Sequence, residues 1–208
     1  MKSPEIWEYI HAERADLATT LESLSPSQWA TASWCEGWTV QQTVGHVVAA
    51  AEQTPINFYR ELISAGLKFD VFADRGATRV AGAGSEDLIG RLRARTTTTN
   101  HPPAPVMAML GEIVVHGEDI RQPLQLTHQS PEAALVAVAD SWKKSNFLIG
   151  SKRRISGLRL RATDVDWTTG DGPEVAGPLQ SLVLAMTGRK GSHERLSGEG
   201  LVMLANRE

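Results

Sequence analysis

The sequence predicts an α+β protein, with a helical N-terminal domain over residues 1–150 and a small C-terminal α/β domain over residues 151–208. In the first part, apolar residues recur at helical spacing between Ser-Pro and Thr cap signals. From about residue 156, apolar and polar residues alternate, as at Leu158, Leu160 and Ala162, and this alternation is typical of strands. The change of period near residue 150 indicates two structural units.

Cap signals divide the first 150 residues into helices. Thr39 and Gln42 form a capping box, and Ser-Pro pairs begin other segments at positions that favour helix starts. The predicted segments are residues 4–23, a short turn over 25–29, 40–65 with Pro55 able to kink it, 86–98, 105–122 and 131–147. Residues 66–84 contain glycines and charges without a sustained period, so we expect a long connection there.

The C-terminal residues alternate between strand and helix signals. Apolar alternation predicts strands over 158–162 and 165–167, and Gly170-Asp171-Gly172-Pro173 predicts the turn after them. Gly177-Pro178 opens a predicted helix over residues 179–187. The apolar run at residues 201–204 resembles a final strand. This pattern predicts a small α/β unit.

Composition excludes several classes of function. Hydrophobic residues make up 41% of the chain and charged residues 22%, with a net charge of -3, so nothing favours nucleic-acid binding. No apolar run approaches the ~20 residues that cross a bilayer, and the N-terminus lacks the pattern of a signal peptide. The single cysteine, Cys35, cannot form an intrachain disulfide. We therefore expect a cytoplasmic protein without membrane or nucleic-acid partners.

A carboxylate and an imidazole stand four residues apart in the apolar segment that contains Glu112 and His116. On a helix, this spacing places both side chains on one face. Burying them among apolar residues is costly unless something pairs them, and a divalent metal pairs both. His46, in another apolar helical segment, is the best third ligand. The three residues predict a metal site with room for a fourth ligand.

Each of these residues also has a structural interpretation. His46 alone is compatible with a hydrogen-bonded core histidine, and Glu112 with His116 is compatible with a surface pair. Asp119 is either a carboxylate that orients a ligand or a solvated charge. Cys35 is either a redox thiol beside the site or a small buried residue that packs in the interior.

The remaining aromatic and histidine residues carry less information. Trp34 and Trp38 either wall a pocket or pack against helices. The other histidines fall at predicted exposed or loop positions, so we expect them to face solvent and assign them no role; they are His11, His101, His128 and His193.

Several motifs in order resemble one known family. They are Trp38-Thr39-Val40 before a helix with Gly45-His46, then Glu112 and His116, then Val175-Ala176-Gly177 and a helix that ends at Gly188-Arg189. This series resembles the mycothiol-dependent maleylpyruvate isomerases of actinobacteria, and the resemblance covers nearly the whole chain. It implies an N-terminal DinB-like four-helix bundle.

The resemblance also implies a site and an activity. Zinc is expected on His46, Glu112 and His116, mycothiol is the expected thiol cofactor, and Arg189 is the expected catalytic arginine. Such enzymes convert maleylpyruvate, a small anionic electrophile, to fumarylpyruvate. The chemistry is consistent with this, because a metal stabilises a thiolate that can add to an activated double bond, permit rotation and then leave. A guanidinium can bind a substrate carboxylate through two hydrogen bonds.

Two other functions remain open from the sequence. One is a DinB-like metal-dependent hydrolase in which water fills the open position and no thiol takes part. The other is a non-catalytic module that uses the metal cleft to bind a small molecule. Nothing in the sequence distinguishes maleylpyruvate from another electrophile as the substrate of a thiol-dependent isomerase or transferase.

Overall fold

The computed structural model describes residues 1–147 and 149–207, which form two compact units. The first unit is Met1–His128, and the second begins at Gln129. Helix α8 (Glu132–Trp142), which the sequence analysis placed in the first domain, belongs to the second unit because it packs against a later helix of that unit. The two units are described separately below.

The first unit is helical. Its elements are α1 (Ser3–Glu22), α2 (Pro26–Trp29), α3 (Val40–Glu52), α4 (Pro55–Ser64), α5 (Phe69–Ala81), α6 (Ser85–Ala94) and α7 (Val106–Arg121). Helix α1 contacts α6 and α7, and α3 contacts the same two helices. These contacts close a four-helix bundle, as the resemblance implies.

The bundle is held by apolar side chains at helical spacing. On α1, Ile10, Leu17 and Leu21 are fully buried, and on α6, Leu88 and Leu92 are fully buried. Burying a side chain of this size contributes about 1.5–3 kcal/mol relative to leaving it exposed. This core fixes α3 and α7 as rigid elements on which side chains can be positioned.

The predicted helix over residues 40–65 is two helices in the structure. Helix α3 ends at Glu52, and Thr54 begins α4 by accepting a hydrogen bond at its hydroxyl from the backbone N–H of Asn57. Pro55 takes the first position of α4, where its missing N–H costs nothing. A break, and not a kink, therefore separates the two helices.

Helix α5 replaces the long connection that we expected over residues 66–84. It packs closely on α3 at Gly45, where a Cβ atom would lie 2.6 Å from the carbonyl oxygen of Ala77 and 2.9 Å from the backbone nitrogen of Ala81. Glycine permits this close approach of two helix backbones. The apolar face of α5 that meets α3 includes Val80, which is 1% exposed.

The second unit combines helices with a small sheet. After α8 come α9 (Ser151–Arg154), β1 (Arg159–Ala162), β2 (Thr168–Thr169), β3 (Glu174–Gly177), α10 (Leu179–Met186), a 3-10 helix (Lys190–Arg195) and α11 (Leu201–Ala205). Strand β1 lies between the other two, antiparallel to β2 and parallel to β3. Helix α10 packs against α8 and β1. The α+β class predicted from the sequence is confirmed.

Three predictions for the second unit need correction. The strand expected over residues 165–167 is absent there, and β2 begins only at Thr168. The segment predicted as a final strand is helix α11, in which only Leu204 is buried. Strand β3 pairs with β1 in parallel, with Leu160 opposite Val175, although the sequence analysis assigned no strand there. Within the described ranges, none of the helices is long and apolar enough to cross a membrane.

Candidate metal centre

The three predicted ligands meet in the first unit, where α3 packs against α7. The Nε2 atom of His46 lies 2.6 Å from Oε1 of Glu112, and Nε2 of His116 lies 3.7 Å from the same oxygen. The two imidazole rings stand edge to face, with centroids 4.8 Å apart. Helix α7 places Glu112 and His116 on one face, as their spacing predicts.

The donor atoms of this cluster suit a divalent ion. The ligand atoms of His46, Glu112 and His116 all lie within 4.8 Å of one another. In a tetrahedral zinc site with bonds of about 2.0–2.1 Å, neighbouring ligand atoms are about 3.4 Å apart, so small side-chain movements suffice. Two neutral imidazoles and one carboxylate are a donor set that zinc accepts, and three protein ligands leave a position open. The residues therefore fit the metal that the resemblance implies.

Asp119 contacts His116 through the ring nitrogen that does not face Glu112. Its Oδ2 atom lies 2.8 Å from Nδ1 of His116, and the Asp119 side chain has no solvent exposure. A carboxylate at this distance favours the tautomer in which Nδ1–H donates a hydrogen bond to it, and in that tautomer Nε2 of His116 keeps its lone pair for a metal. Of the two interpretations left open by the sequence, the structure supports the orienting carboxylate and excludes the solvated charge.

The loop between α2 and α3 forms one side of the cluster. The ring of Trp38 lies 5.1 Å from the ring of His46, and Nε1 of Trp38 donates a hydrogen bond to Asp74 of α5. The backbone N–H of Trp34 donates to the carbonyl oxygen of Asp119. Trp38 therefore contacts a candidate ligand, and the loop is attached to the end of α7 that carries the cluster.

Cys35 belongs to the same loop and is half-buried. Its Sγ atom, a carboxylate oxygen of Asp119 and a ring nitrogen of His116 lie within 4.8 Å of one another. Cys35 is therefore a neighbour of the cluster.

Sequence reasoning missed Arg14, which is 4% exposed on α1. Its Nη1 atom donates hydrogen bonds to the carbonyl oxygens of Arg95 and Thr98. Burial lowers the pKa of Arg14 to about 10, and the Glu112 carboxylate acts in the opposite direction. The burial of Arg14 could have been predicted from the sequence, because residue 14 lies on the face of α1 that Ile10 and Leu17 define.

The four histidines expected to face solvent are all half-buried. The clearest departure is His128, whose Nε2 lies 3.0 Å from Oε2 of Glu13, and whose Nδ1 lies 3.2 Å from Oδ2 of Asp16. His11 contacts the carbonyl oxygen of Thr98 instead. These contacts give the histidines structural partners outside the predicted ligand set.

Arg189 lies in the second unit, just before the 3-10 helix. It is half-buried, and its Nη1 atom donates to the carbonyl oxygen of Thr187 at 3.3 Å. Arg154 is nearby: its pKa is lowered by burial, then by the charges of Arg153 and Arg189. This group of guanidinium ions makes the surroundings of Arg189 electropositive, which favours an anionic ligand.

The fold and the cluster define a helical-bundle protein of the α+β class with a candidate metal centre. A model of the family described as mycothiol maleylpyruvate isomerase N-terminal domain matches residues 10–102. This segment belongs to that family, which confirms the resemblance seen in the sequence. The match supports an enzyme of isomerase type.

Solved structures extend the likeness of fold. A crystal structure of a histidine-to-alanine mutant of the mycothiol-dependent maleylpyruvate isomerase is 16% identical, with a TM-score of 0.62, and covers 96% of this chain and 93% of its own. A crystal structure of the mycothiol-dependent maleylpyruvate isomerase is 15% identical, with a TM-score of 0.58 and the same coverage. No protein of curated function matches. At these identities, the likeness shows the fold.

Proposed function

We propose that this protein is a zinc- and mycothiol-dependent isomerase or thiol transferase that acts on a small anionic electrophile, with maleylpyruvate as the first substrate to test. The observation that carries the proposal is the proximity of His46, Glu112 and His116, whose ligand atoms lie within 4.8 Å of one another. His46 lies inside the family-matched segment, and the other two residues follow it in the chain. The buried carboxylate behind His116 adds support, because such partners accompany metal-binding histidines.

The chain supplies the means to hold the metal. His46 and His116 each offer a neutral imidazole nitrogen, and Glu112 offers a carboxylate oxygen. Asp119 holds the proton of His116 on Nδ1, which fixes the orientation of that ring before the ion arrives. Zinc bound there would lower the pKa of the mycothiol thiol, and the resulting thiolate supplies the nucleophile for reversible addition to an activated double bond.

Two other residues would shield the metal site from water and bind the substrate. Trp38 lies against His46 and limits water on that side of the ligand. We assign the substrate carboxylate to Arg189, because a guanidinium binds a carboxylate through two parallel hydrogen bonds and stabilises developing negative charge. This assignment rests on the family resemblance and on the electropositive surroundings of Arg189.

A titration with mycothiol tests the proposal. Cobalt replaces the spectroscopically silent zinc, and mycothiol is added while visible absorption and melting temperature are followed. We expect the absorption of the cobalt centre to change as the thiol binds, and a stabilisation of about 2.7 kcal/mol when mycothiol reaches 100 times its dissociation constant.

An S-methylated mycothiol is the matched control, because it cannot supply a thiolate. It should leave the cobalt spectrum unchanged. If mycothiol and its S-methyl form behave alike, the thiol dependence is refuted. Hydrolysis of a test ester or amide by the metal-loaded protein without thiol would then favour the hydrolase, and its absence would favour a binding module.

A further inference from the structure

A second group of metal-binding side chains lies beside the predicted site. The Sγ atom of Cys35, a ring nitrogen of His116 and a carboxylate oxygen of Asp119 lie within 4.8 Å of one another. Thiolate, imidazole and carboxylate are all ligands of divalent zinc and cadmium, and thiolate favours the softer ion. The group shares His116 with the first cluster but includes neither His46 nor Glu112.

Backbone hydrogen bonds fix Cys35 at this place. The N–H of Trp34 donates to the carbonyl oxygen of Asp119 at 3.0 Å, which attaches the loop to α7. The N–H of Cys35 donates to Oγ of Ser33 at 3.1 Å, and its carbonyl oxygen accepts from the N–H of Trp38. The main chain therefore positions the thiol beside α7, and half-burial leaves an approach for an ion.

We propose that Cys35, His116 and Asp119 form a second metal position, selective for soft divalent ions such as Cd²⁺. The proposal does not depend on the isomerase activity or on mycothiol. The hard ligands of the first cluster, two imidazoles and a carboxylate, suit zinc, whereas a cysteine thiolate gives the second position its preference for a softer ion.

The two metal positions share one residue, His116. Its Nδ1 is the ring nitrogen next to Asp119, at 2.8 Å, and its Nε2 is the one that faces Glu112. Both positions draw on the same imidazole ring through different nitrogens, so a soft ion in the second position competes with a metal in the first for His116.

Titration of the metal-free protein with Cd²⁺ tests this position. Because the chain contains a single cysteine, thiolate-to-cadmium absorption in the ultraviolet and alkylation by iodoacetamide both report Cys35 alone. We expect the absorption band to appear as Cd²⁺ binds. We also expect alkylation to slow by about tenfold or more, because a metal-bound thiolate is a poor nucleophile.

Three variants separate the two positions. His46→Ala removes a ligand of the first site only, so it should keep the band and the protection from alkylation. Asp119→Asn should lose most of both. Cys35→Ser should lose the band while its melting temperature stays near that of the wild type. Each variant is checked for folding by circular dichroism.

Two results would overturn the proposal. One is uptake of Cd²⁺ by the wild type with no thiolate band and unchanged alkylation, which would place the ion on the first cluster. The other is loss of the band in folded His46→Ala, which would make Cys35 a fourth ligand of the first site and remove the separate position. Neither result would bear on mycothiol dependence, which the cobalt titration tests.

Discussion

The Nδ1 atom of His116 lies 2.8 Å from the carboxylate of Asp119, which is completely buried. The two residues stand at positions i and i+3 of α7, so one helix carries both a proposed ligand and the carboxylate that would orient it. A buried carboxylate without a partner is costly, and here the imidazole N–H supplies one. This pair ties the local structure of α7 to the chemistry of the site.

Replacing Asp119 with asparagine should weaken metal binding. The amide lacks the negative charge that holds the proton on Nδ1, so we expect affinity for zinc to fall by about 10–100-fold. Competition with a coloured chelator measures this. Asp87→Asn is the control, because Asp87 is exposed on α6 and pairs with Arg91. Equal affinities in both variants would mean that Asp119 has no part in the metal site.

The ligand variants should lose the metal itself. We expect about one divalent ion per wild-type chain, and strong loss of metal in His46→Ala, Glu112→Ala and His116→Ala, because three residues share one ion. Elemental analysis of dialysed protein measures the content. His101→Ala serves as the control, since its Nδ1 contacts the carbonyl oxygen of Pro102. Metal loss in the control together with retention in the three variants would refute the ligand set.

A substitution at Gly45 should destabilise the first unit. The Cβ of Gly45→Ala would meet the backbone of α5 at 2.6 Å and force the helices apart, at a cost of about 1–3 kcal/mol. Gly90→Ala is the matched control, because the position is helical with nothing within 4 Å of the added Cβ. It should stabilise by about 0.5–1 kcal/mol. Urea unfolding compares the two, and an unaffected Gly45→Ala would contradict the close approach of α3 and α5.

Changing Arg189 should affect turnover and leave the metal in place. Arg189→Ala removes the guanidinium proposed for the substrate carboxylate, so we expect turnover of maleylpyruvate to fall by about 100-fold with metal content unchanged. Arg189→Lys should recover part, because lysine lacks the two-pronged donor. Lys152→Ala, which removes an exposed cation of the same unit, is the control. Normal turnover in Arg189→Ala would assign this arginine a structural role.

The sequence predicted those elements whose periodicity and caps agree. Helix α7 was predicted because an apolar run follows Pro105 and stops before Pro123, and the capping box at Thr39 located the start of α3. The cluster of candidate ligands could be predicted because Glu112 and His116 interrupt that apolar run at helical spacing. His46 could be proposed as the third member because it interrupts another.

Other elements depend on contacts that are distant in sequence. Helix α5 was missed because Gly76 and several charges obscure its period, whereas its packing on Gly45 stabilises it. Four successive apolar residues beginning at Leu201 carry no period, so α11 was mistaken for a strand. The partners of His128 lie on α1, more than 100 residues earlier, and no local pattern indicates them.

Anomalous scattering at the zinc absorption edge tests the central claim most directly. Crystals of the zinc-loaded protein should give one strong peak in the first unit, at bonding distance from Nε2 of His46, a carboxylate oxygen of Glu112 and Nε2 of His116. The same peak should be absent from crystals of His46→Ala. A peak bound by other residues, or a zinc-loaded crystal with no peak at this cluster, would contradict the account.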